Sequence, residues 1–276
     1  MSPQLEERLA RVVMWGAAVL TTIILALIIG NVLFNGLGHV NLEFLLANPA
    51  NMGREGGIYS SIVSTIYLLL LALALATPVG VGAAIFLVEY RQGGRILSLI
   101  RFTTESLAGI PSIIFGVFGF SFFVLFLGLG WSILSGALTL TLMILPIIVR
   151  TSEEALRAVP NAYREGSLAL GATRSQTILR VVLPAALPGI STGIVLSMGR
   201  AVGESAAVIL TAGSALGVPR SLLAPGRALS VHLYVLAVEG ISMEKAYATG
   251  AVLILAVVMI NILMNRLSGR QRLHTR

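Results

Sequence analysis

The chain has 276 residues, of which 56% are hydrophobic and 11% charged, and its mean hydropathy is +0.92. This composition excludes a soluble globular domain and predicts an all-α integral membrane protein with several spans. The net charge of +7 does not indicate nucleic-acid binding, because the arginines flank apolar segments instead of forming one basic patch, and the absence of cysteine excludes disulfides and thiolate metal sites.

Apolar segments of spanning length occur six times along the sequence. The first is longer than the apolar part of a secretory signal peptide, which covers about 7–15 residues, so we predict a retained anchor. The third and fourth share an uncharged stretch, residues 106–149, with a turn at Gly128–Trp131. The predicted spans are Val12–Phe34, Ser60–Tyr90, Thr103–Leu127, Ser132–Ile148, Leu187–Ala212 and Ala246–Met264.

The basic residues predict the orientation of these spans. Fourteen of the nineteen arginines and lysines fall on one side of a six-span arrangement and four on the other, while Arg200 lies inside the fifth span. The positive-inside rule therefore predicts that both termini are cytoplasmic, and that Asn35–Gly57 and Gly213–Glu244 are external. A kink near Pro78 and a tight basic turn at Arg91–Arg95 are also expected.

Residues 151–184 form a long polar segment between two spans, and their pattern is helical. Capping boxes that begin at Thr151 and Thr173 predict helices that start one residue later. Pro160 should separate the first helix from a short one over residues 162–170. The segment is therefore expected to be a set of short helices on the cytoplasmic side.

A sharp turn within this segment is expected at Gly171, which can end the preceding helix in a left-handed conformation. Pro184 and Pro188 are expected to end the helical run. A rigid turn between two spans is suited to binding by another protein, whereas the alternative is an ordinary cytoplasmic helical hairpin.

Part of the segment resembles the EAA loop of type I ABC-importer permeases, whose pattern is Glu-Ala-Ala, three residues, Gly, nine residues, Ile-x-Leu-Pro. The residues at these positions are Glu165, Gly166, Ser167, Gly171, Val181, Leu183 and Pro184. The glutamate, the glycine and the final Leu-Pro match, while small or conservative residues replace the two alanines and the isoleucine. The resemblance implies the type I permease fold and a loop that docks into a groove on an ATPase subunit.

Nucleotide binding is not expected in this chain. A phosphate-binding loop of the Walker type needs a lysine after glycine, and the only lysine, Lys245, follows Glu244. We therefore predict a transport subunit that is not itself an enzyme and holds no cofactor, with ATP and Mg²⁺ bound by partner subunits.

Three further motifs resemble the PstA family of permease subunits of the bacterial phosphate importer. They are TESLAGIPSIIFG from Thr104, EALRAVP from Glu154 and GRAVGES from Gly199. The resemblance covers about residues 58–267 and implies a heterodimer with a sister permease, two ATPase subunits and an external phosphate-binding protein. The sister permease itself, or a permease for another oxyanion, is the alternative.

The resemblance also divides the chain. Residues 58–267 are predicted to form the permease domain, after an N-terminal region of residues 1–57 with the first span and an external loop. Residues 268–276 are predicted to be a basic cytoplasmic tail.

Two charged residues of the fifth span, Arg200 and Glu204, are candidates for the substrate path. Four residues apart, they would share one helix face, and charges at membrane depth are expected to face protein or water. A guanidinium suits a phosphate oxyanion, although the two residues could instead tie helices together as a buried pair.

Glu105 is the third candidate for the substrate path. It could act as a gate, with Gly109–Pro111 loosening the helix beyond it, or simply pair with Arg101. All three histidines are expected at the surface.

The sequence argues against two other classes of membrane protein. An intramembrane serine protease would need a histidine inside a predicted span, and none is present there. A channel or secondary transporter that works alone would not need the 151–184 segment as a docking site.

Overall fold

A computed structural model describes residues 3–90 and 94–273 of the chain, and these residues are predominantly helical. The helices are α1 Pro3–Leu37, α2 Leu42–Leu46, α3 Tyr59–Ile85, α4 Arg95–Ala108, α5 Ser112–Gly119, α6 Ile133–Arg157, α7 Asn161–Ala169, α8 Arg174–Thr177, α9 Leu183–Gly203, α10 Ala206–Thr211, α11 Leu229–Val238 and α12 Met243–Leu273. Wider π-helical turns extend α3, α5 and α8 at Phe86–Tyr90, Phe120–Phe126 and Ile178–Val182.

Five helical segments are long and apolar enough to cross a membrane, and a bent pair of helices makes a sixth. Six spans were predicted, and the structure confirms that number if the bent pair counts as one. Between α2 and α3 a short antiparallel hairpin pairs β1 Pro49–Ala50 with β2 Glu55–Gly56.

Helix α6 lies at the centre of the described fold, packed against α3, α9 and α10. Its side chains Leu140, Ile144 and Ile148 are buried in the main apolar cluster, together with Leu68 and Ala72 of α3. A helix that is apolar on most of its faces must be covered by protein or by lipid, and neighbouring spans cover most of α6.

Helix α1 is peripheral and packs mainly against α12. Contact is close near its C-terminal end, where Gly36 meets the backbone of Tyr247 and Gly250 faces Val32. Residues 10–31 are exposed, and the helix is the first of the candidate spans. The predicted first span is confirmed.

The third span differs from its prediction, because Thr103–Leu127 is not one helix. Helix α4 starts at Arg95 and ends at Ala108, and Ser112–Phe126 continues at an angle of 102° to it. Pro111 lies at the break, where it lacks a backbone N–H and disfavours a helical conformation in the residue before it. The expected loosening at Gly109–Pro111 is in fact a sharp bend.

The helix predicted to start near Ser152 does not start there. Helix α6 continues without interruption to Arg157, and the Thr151 hydroxyl donates to the Ile147 carbonyl (2.8 Å) instead of capping a new helix. The expected separation at Pro160 is confirmed, since α7 begins at Asn161.

The fifth span also differs, because Pro184 and Pro188 do not end the helical run. The segment Arg174–Gly203 is continuous, with Pro184 in the first turn of α9, directly after the π-helical turn, and Pro188 inside the helix. A proline in the first turn interrupts few hydrogen bonds, and the wider turn before it changes the helical register. The span starts earlier than Leu187 and breaks after Gly203, before Ala212.

The prediction that all histidines lie at the surface is wrong for His232. This side chain is 1% exposed in α11, a short helix outside the candidate spans. Burial, with smaller contributions from the charges of Arg227 and Lys245, lowers the pKa of His232 to about 4. His39 is exposed as predicted, and His274 lies outside the described residues, as do residues 91–93 of the predicted basic turn.

Candidate functional site

The turn after α7 has the left-handed glycine that the sequence predicted. Gly171 has φ +84°, its N–H donates to the Leu168 carbonyl (3.0 Å), and the Ala172 N–H donates to the Ser167 carbonyl (3.2 Å). These two bonds form a Schellman motif, which satisfies the last carbonyls of α7. The next helix starts with the predicted capping box, in which Thr173 and Gln176 exchange side-chain and backbone hydrogen bonds.

Helix α7 lies on the surface of the chain and has no buried residue. Glu165 and Gly166 are exposed on it, as is Leu168. Leu170, at its C-terminal end, is 91% exposed. An exposed charged and apolar surface on a short, well-capped helix is suited to binding another protein.

The other residues of the EAA-like pattern lie on the elements that follow α7. The Ser167 hydroxyl is hydrogen-bonded to the Thr177 hydroxyl (2.9 Å), which joins α7 to α8. Leu183 packs against a buried cluster that includes Leu156 and Val182, and Pro184 next to it is exposed. The pattern therefore extends as one unit of consecutive elements from the exposed α7 to the start of α9, where Leu183 packs inward.

A buried ion pair, which the sequence analysis missed, lies beside this unit. The Arg164 guanidinium donates to Glu89 Oε1 from Nε (3.0 Å) and from Nη2 (2.7 Å). It also donates to the carbonyls of Leu156 (2.9 Å) and Val159 (2.7 Å). The available signal was a carboxylate at the end of an apolar span, in the stretch FLVEY.

Helix α9 carries two pairs of glycines spaced four apart. A Cβ atom on Gly193 would clash with Thr151 of α6, and one on Gly189 would lie 2.6 Å from Ala155 Cβ. Nothing lies within 4 Å of a Cβ atom built on Gly199 or Gly203. Arg200, between these last two, is exposed.

Glu204 does not share a helix face with Arg200, because α9 ends at Gly203 and the backbone of Glu204 is extended. Its Oε1 accepts from the Ala207 N–H (3.1 Å) at the start of α10, and its carbonyl accepts from the Ser230 hydroxyl (2.7 Å). Both residues belong to the described part of the chain, and no ion pair joins them. The expected shared helix face is therefore wrong, and the alternative of a buried Arg200–Glu204 pair is not observed in the described residues.

Glu105 lines a polar cavity of about 240 Å³ between α4 and α6, together with Arg101, Glu153 and Arg157. Arg101 pairs with Glu153 (2.8 Å) rather than with Glu105. Neither Arg200 nor Glu204 lines this cavity. Within residues 3–90 and 94–273, no group of three or more histidines and glutamates is placed to hold a metal ion.

The sequence profile of the family described as "Binding-protein-dependent transport system inner membrane component" matches residues 76–273. The chain belongs to this family. It is a permease component of an ABC importer, a multi-pass protein of the inner membrane and a transport subunit, while ATP hydrolysis belongs to separate ATPase subunits.

Individual relatives agree with the family assignment. The chain is 32% identical to the probable ABC transporter permease protein YqgI of Bacillus subtilis, over 95% of both chains. It is 44% identical to the phosphate transport system permease protein PstA 1 of Mycobacterium tuberculosis over 158 residues, which cover 57% of this chain but only about half (52%) of that relative.

Solved structures share the fold. The alginate ABC transporter, in complex with a periplasmic protein bound to an alginate pentasaccharide, has a chain that matches with a TM-score of 0.67 at 17% identity, over 97% of this chain and 98% of that one. The MetNI methionine ABC transporter, in an inward-facing conformation, matches with a TM-score of 0.62 at 21% identity, over 78% of this chain and 94% of that one.

Proposed function

We propose that this chain is one of two permease subunits of an ATP-driven importer of inorganic phosphate. The assignment of phosphate as the substrate rests on the 44% identity to a phosphate permease over 158 residues. The proposed assembly contains a sister permease, two ATPase subunits that bind ATP and Mg²⁺, and an external phosphate-binding protein.

The proposed contact with the ATPase is the unit from α7 to the start of α9. Its six residues are Glu165, Gly166, Ser167, Gly171, Leu183 and Pro184. The exposure of Glu165 and the fixed turn at Gly171 support this role, because a docking element needs an accessible surface of defined shape.

The proposed substrate path runs beside Arg200. Its side chain is exposed between Gly199 and Gly203, so this chain alone does not cover it, and the sister permease would face it across the path. A guanidinium offers a planar set of donors to an oxyanion. Glu204, in the non-helical break after α9, and Glu105, in the polar cavity beside α4, are proposed to line other parts of the path.

The proposed orientation places both termini, α7 and α8 in the cytoplasm. The arginine distribution supports it, and so does the role of α7, since ATP is cytoplasmic.

The experiment is uptake into proteoliposomes that contain the complete complex and the external binding protein. Phosphate uptake that requires ATP and all subunits is expected, with sulfate and molybdate as competing substrates. Uptake of sulfate or molybdate in preference to phosphate would reassign the substrate. Flux through the isolated chain without the ATPase subunits would contradict the subunit role.

A further inference from the structure

Few side-chain contacts attach helix α7 to the membrane spans. It has no buried residue, so apolar burial contributes little to its position relative to the spans. The Ser167–Thr177 hydrogen bond joins it only to α8, the next helix along the chain. In the described part of the chain, the side-chain hydrogen bonds from α7 to more distant elements come from Arg164.

The Arg164 guanidinium contacts two other elements at once. Glu89, its partner, lies in the π-helical turn at the end of α3, 75 residues away in sequence. Its other acceptors are the carbonyl of Leu156, in the last turn of α6, and the carbonyl of Val159, two residues after the helix ends. A single side chain of α7 thus joins the ends of two spans.

Burial makes this contact specific. The Glu89 side chain is 7% exposed and that of Arg164 is 17% exposed. Glu89 and Arg227 are the two charged residues that are buried in the described part of the chain. A buried carboxylate that loses its partner is strongly unfavourable, so Glu89 and Arg164 should stay together when either element moves.

We propose that the Glu89–Arg164 ion pair is the link through which movement of α7 is passed to α3 and α6. Arg164 is then a positioning residue for coupling and does not contact ATP, the ATPase or the transported anion. This inference rests on the proposed function, in which the ATPase subunits dock on α7.

The first test compares variants in the complete reconstituted complex. Arg164→Lys keeps the charge but cannot reach the carboxylate and both carbonyls with one planar group. We expect normal assembly and basal ATP hydrolysis within about twofold of wild type, while hydrolysis stimulated by the phosphate-loaded binding protein falls at least tenfold. Glu89→Gln keeps an acceptor for Arg164, so we expect a smaller loss.

Arg11→Lys is the matched control. Arg11 also pairs with a glutamate (Glu7, 2.9 Å), but its side chain is 64% exposed on the peripheral helix α1, and we expect wild-type stimulation. Wild-type stimulation in Arg164→Lys would overturn the proposal. Loss of ATPase binding in that variant would also overturn it, because Arg164 would then belong to the docking surface.

A second test needs no variant of the ion pair. The chain has no cysteine, so a variant with two introduced cysteines carries one spin label at each. The two positions are the exposed residues Leu170, after α7, and Phe86, near Glu89. We expect the distance between the two labels to be the same in nucleotide-free and ATP-bound complexes, because α7 and the end of α3 move together. A distance that changes with ATP would overturn the link. A wild-type complex without any ATPase bound would instead contradict the proposed function.

Discussion

The two glycine pairs of α9 have the same spacing in sequence but different surroundings in the structure. Gly189 and Gly193 lie against α6 so closely that a methyl group on either would clash. Gly199 and Gly203, a few turns further along the same helix, have open space over them. The first half of α9 therefore completes the packing of this chain, and the second half leaves a surface uncovered.

The two halves of α9 therefore distinguish surfaces that are packed within this chain from surfaces that remain exposed. Arg200 lies on the uncovered part of α9, and α7, with Glu165 and no buried side chain, is likewise uncovered. Arg200 is a charge on a span, where a lipid-facing surface would avoid one, and Glu165 is an exposed charge outside the spans. Uncovered polar surfaces on a membrane protein are the places where partner subunits or a transported ion are expected.

The largest effect is expected from Gly193→Val, because its side chain would overlap Thr151 in the contact between α6 and α9. Overpacking of a core costs about 1–3 kcal/mol or more. We expect a sharp fall in the yield of monodisperse detergent-extracted protein and a lower unfolding temperature.

Gly199→Val is the matched control for this comparison. Open space over Gly199 predicts a normal yield and unfolding temperature for the single chain. Pairing with the sister permease should be weakened instead. Equal instability of the two variants would remove the distinction between the two halves of α9.

The next effect concerns the exposed α7. Gly171→Val places a β-branched residue at φ +84°, which such residues rarely adopt, and we expect loss of ATPase copurification and of phosphate-stimulated ATP hydrolysis. Insertion into the membrane should persist, because no span is changed.

Gly128→Val serves as the control for Gly171→Val. Gly128, in the turn before α6, has φ +67° and no described atom within 4 Å of its Cβ position, so valine meets the same backbone strain outside the proposed ATPase contact. Wild-type coupling is expected for this variant. Unchanged coupling in Gly171→Val would show that the shape of this turn is not needed for docking.

Substitution of Arg200 is expected to affect assembly of the complex little but to reduce transport clearly. Arg200→Lys keeps the charge and loses the planar donors, so phosphate uptake should fall at least tenfold while subunit stoichiometry stays normal. Since Arg200 forms no ion pair with Glu204, Arg200→Met should also leave the fold intact. Near-normal uptake by the double variant Arg200→Met, Glu204→Met would exclude both from the path.

Features that depend on local sequence were predictable. The long apolar segments gave the number of spans, and the left-handed Gly171 and the Thr173 capping box were predicted because each is decided by a few neighbouring residues. The expectation that Arg200 and Glu204 share one helix face was wrong, because α9 ends at Gly203, before Glu204.

Features that depend on distant contacts were not predictable in the same way. Thr151 fits a capping box, yet it lies inside α6, where its hydroxyl donates to the Ile147 carbonyl and its side chain packs close to Gly193 of α9. Pro184 is read from sequence as a helix end, but the π-helical turn before it lets the helix continue. The Glu89–Arg164 pair joins residues 75 positions apart, a separation at which a single sequence gives no pairing signal.

Two cysteine variants, which report the orientation of the chain in the membrane, are expected to have the smallest effect on transport. Met52, at the tip of the hairpin before α3, is 62% exposed, and Leu170 after α7 is 91% exposed. The arginine distribution predicts that Met52 is outside and Leu170 in the cytoplasm. The wild-type chain gives no background, because it has no cysteine.

Labelling should use a membrane-impermeant maleimide on cells that express the permease subunits without the ATPase, which would otherwise cover α7. Met52→Cys should react in intact cells and Leu170→Cys only after permeabilisation. Met52 and Leu170 are separated in sequence by α3, the α4–α5 pair and α6, so an odd number of crossings lies between them if the bent pair spans the membrane once. Reaction of both variants in intact cells would mean that the bent pair enters and leaves on the same side, and the cytoplasmic location of α7 would be wrong.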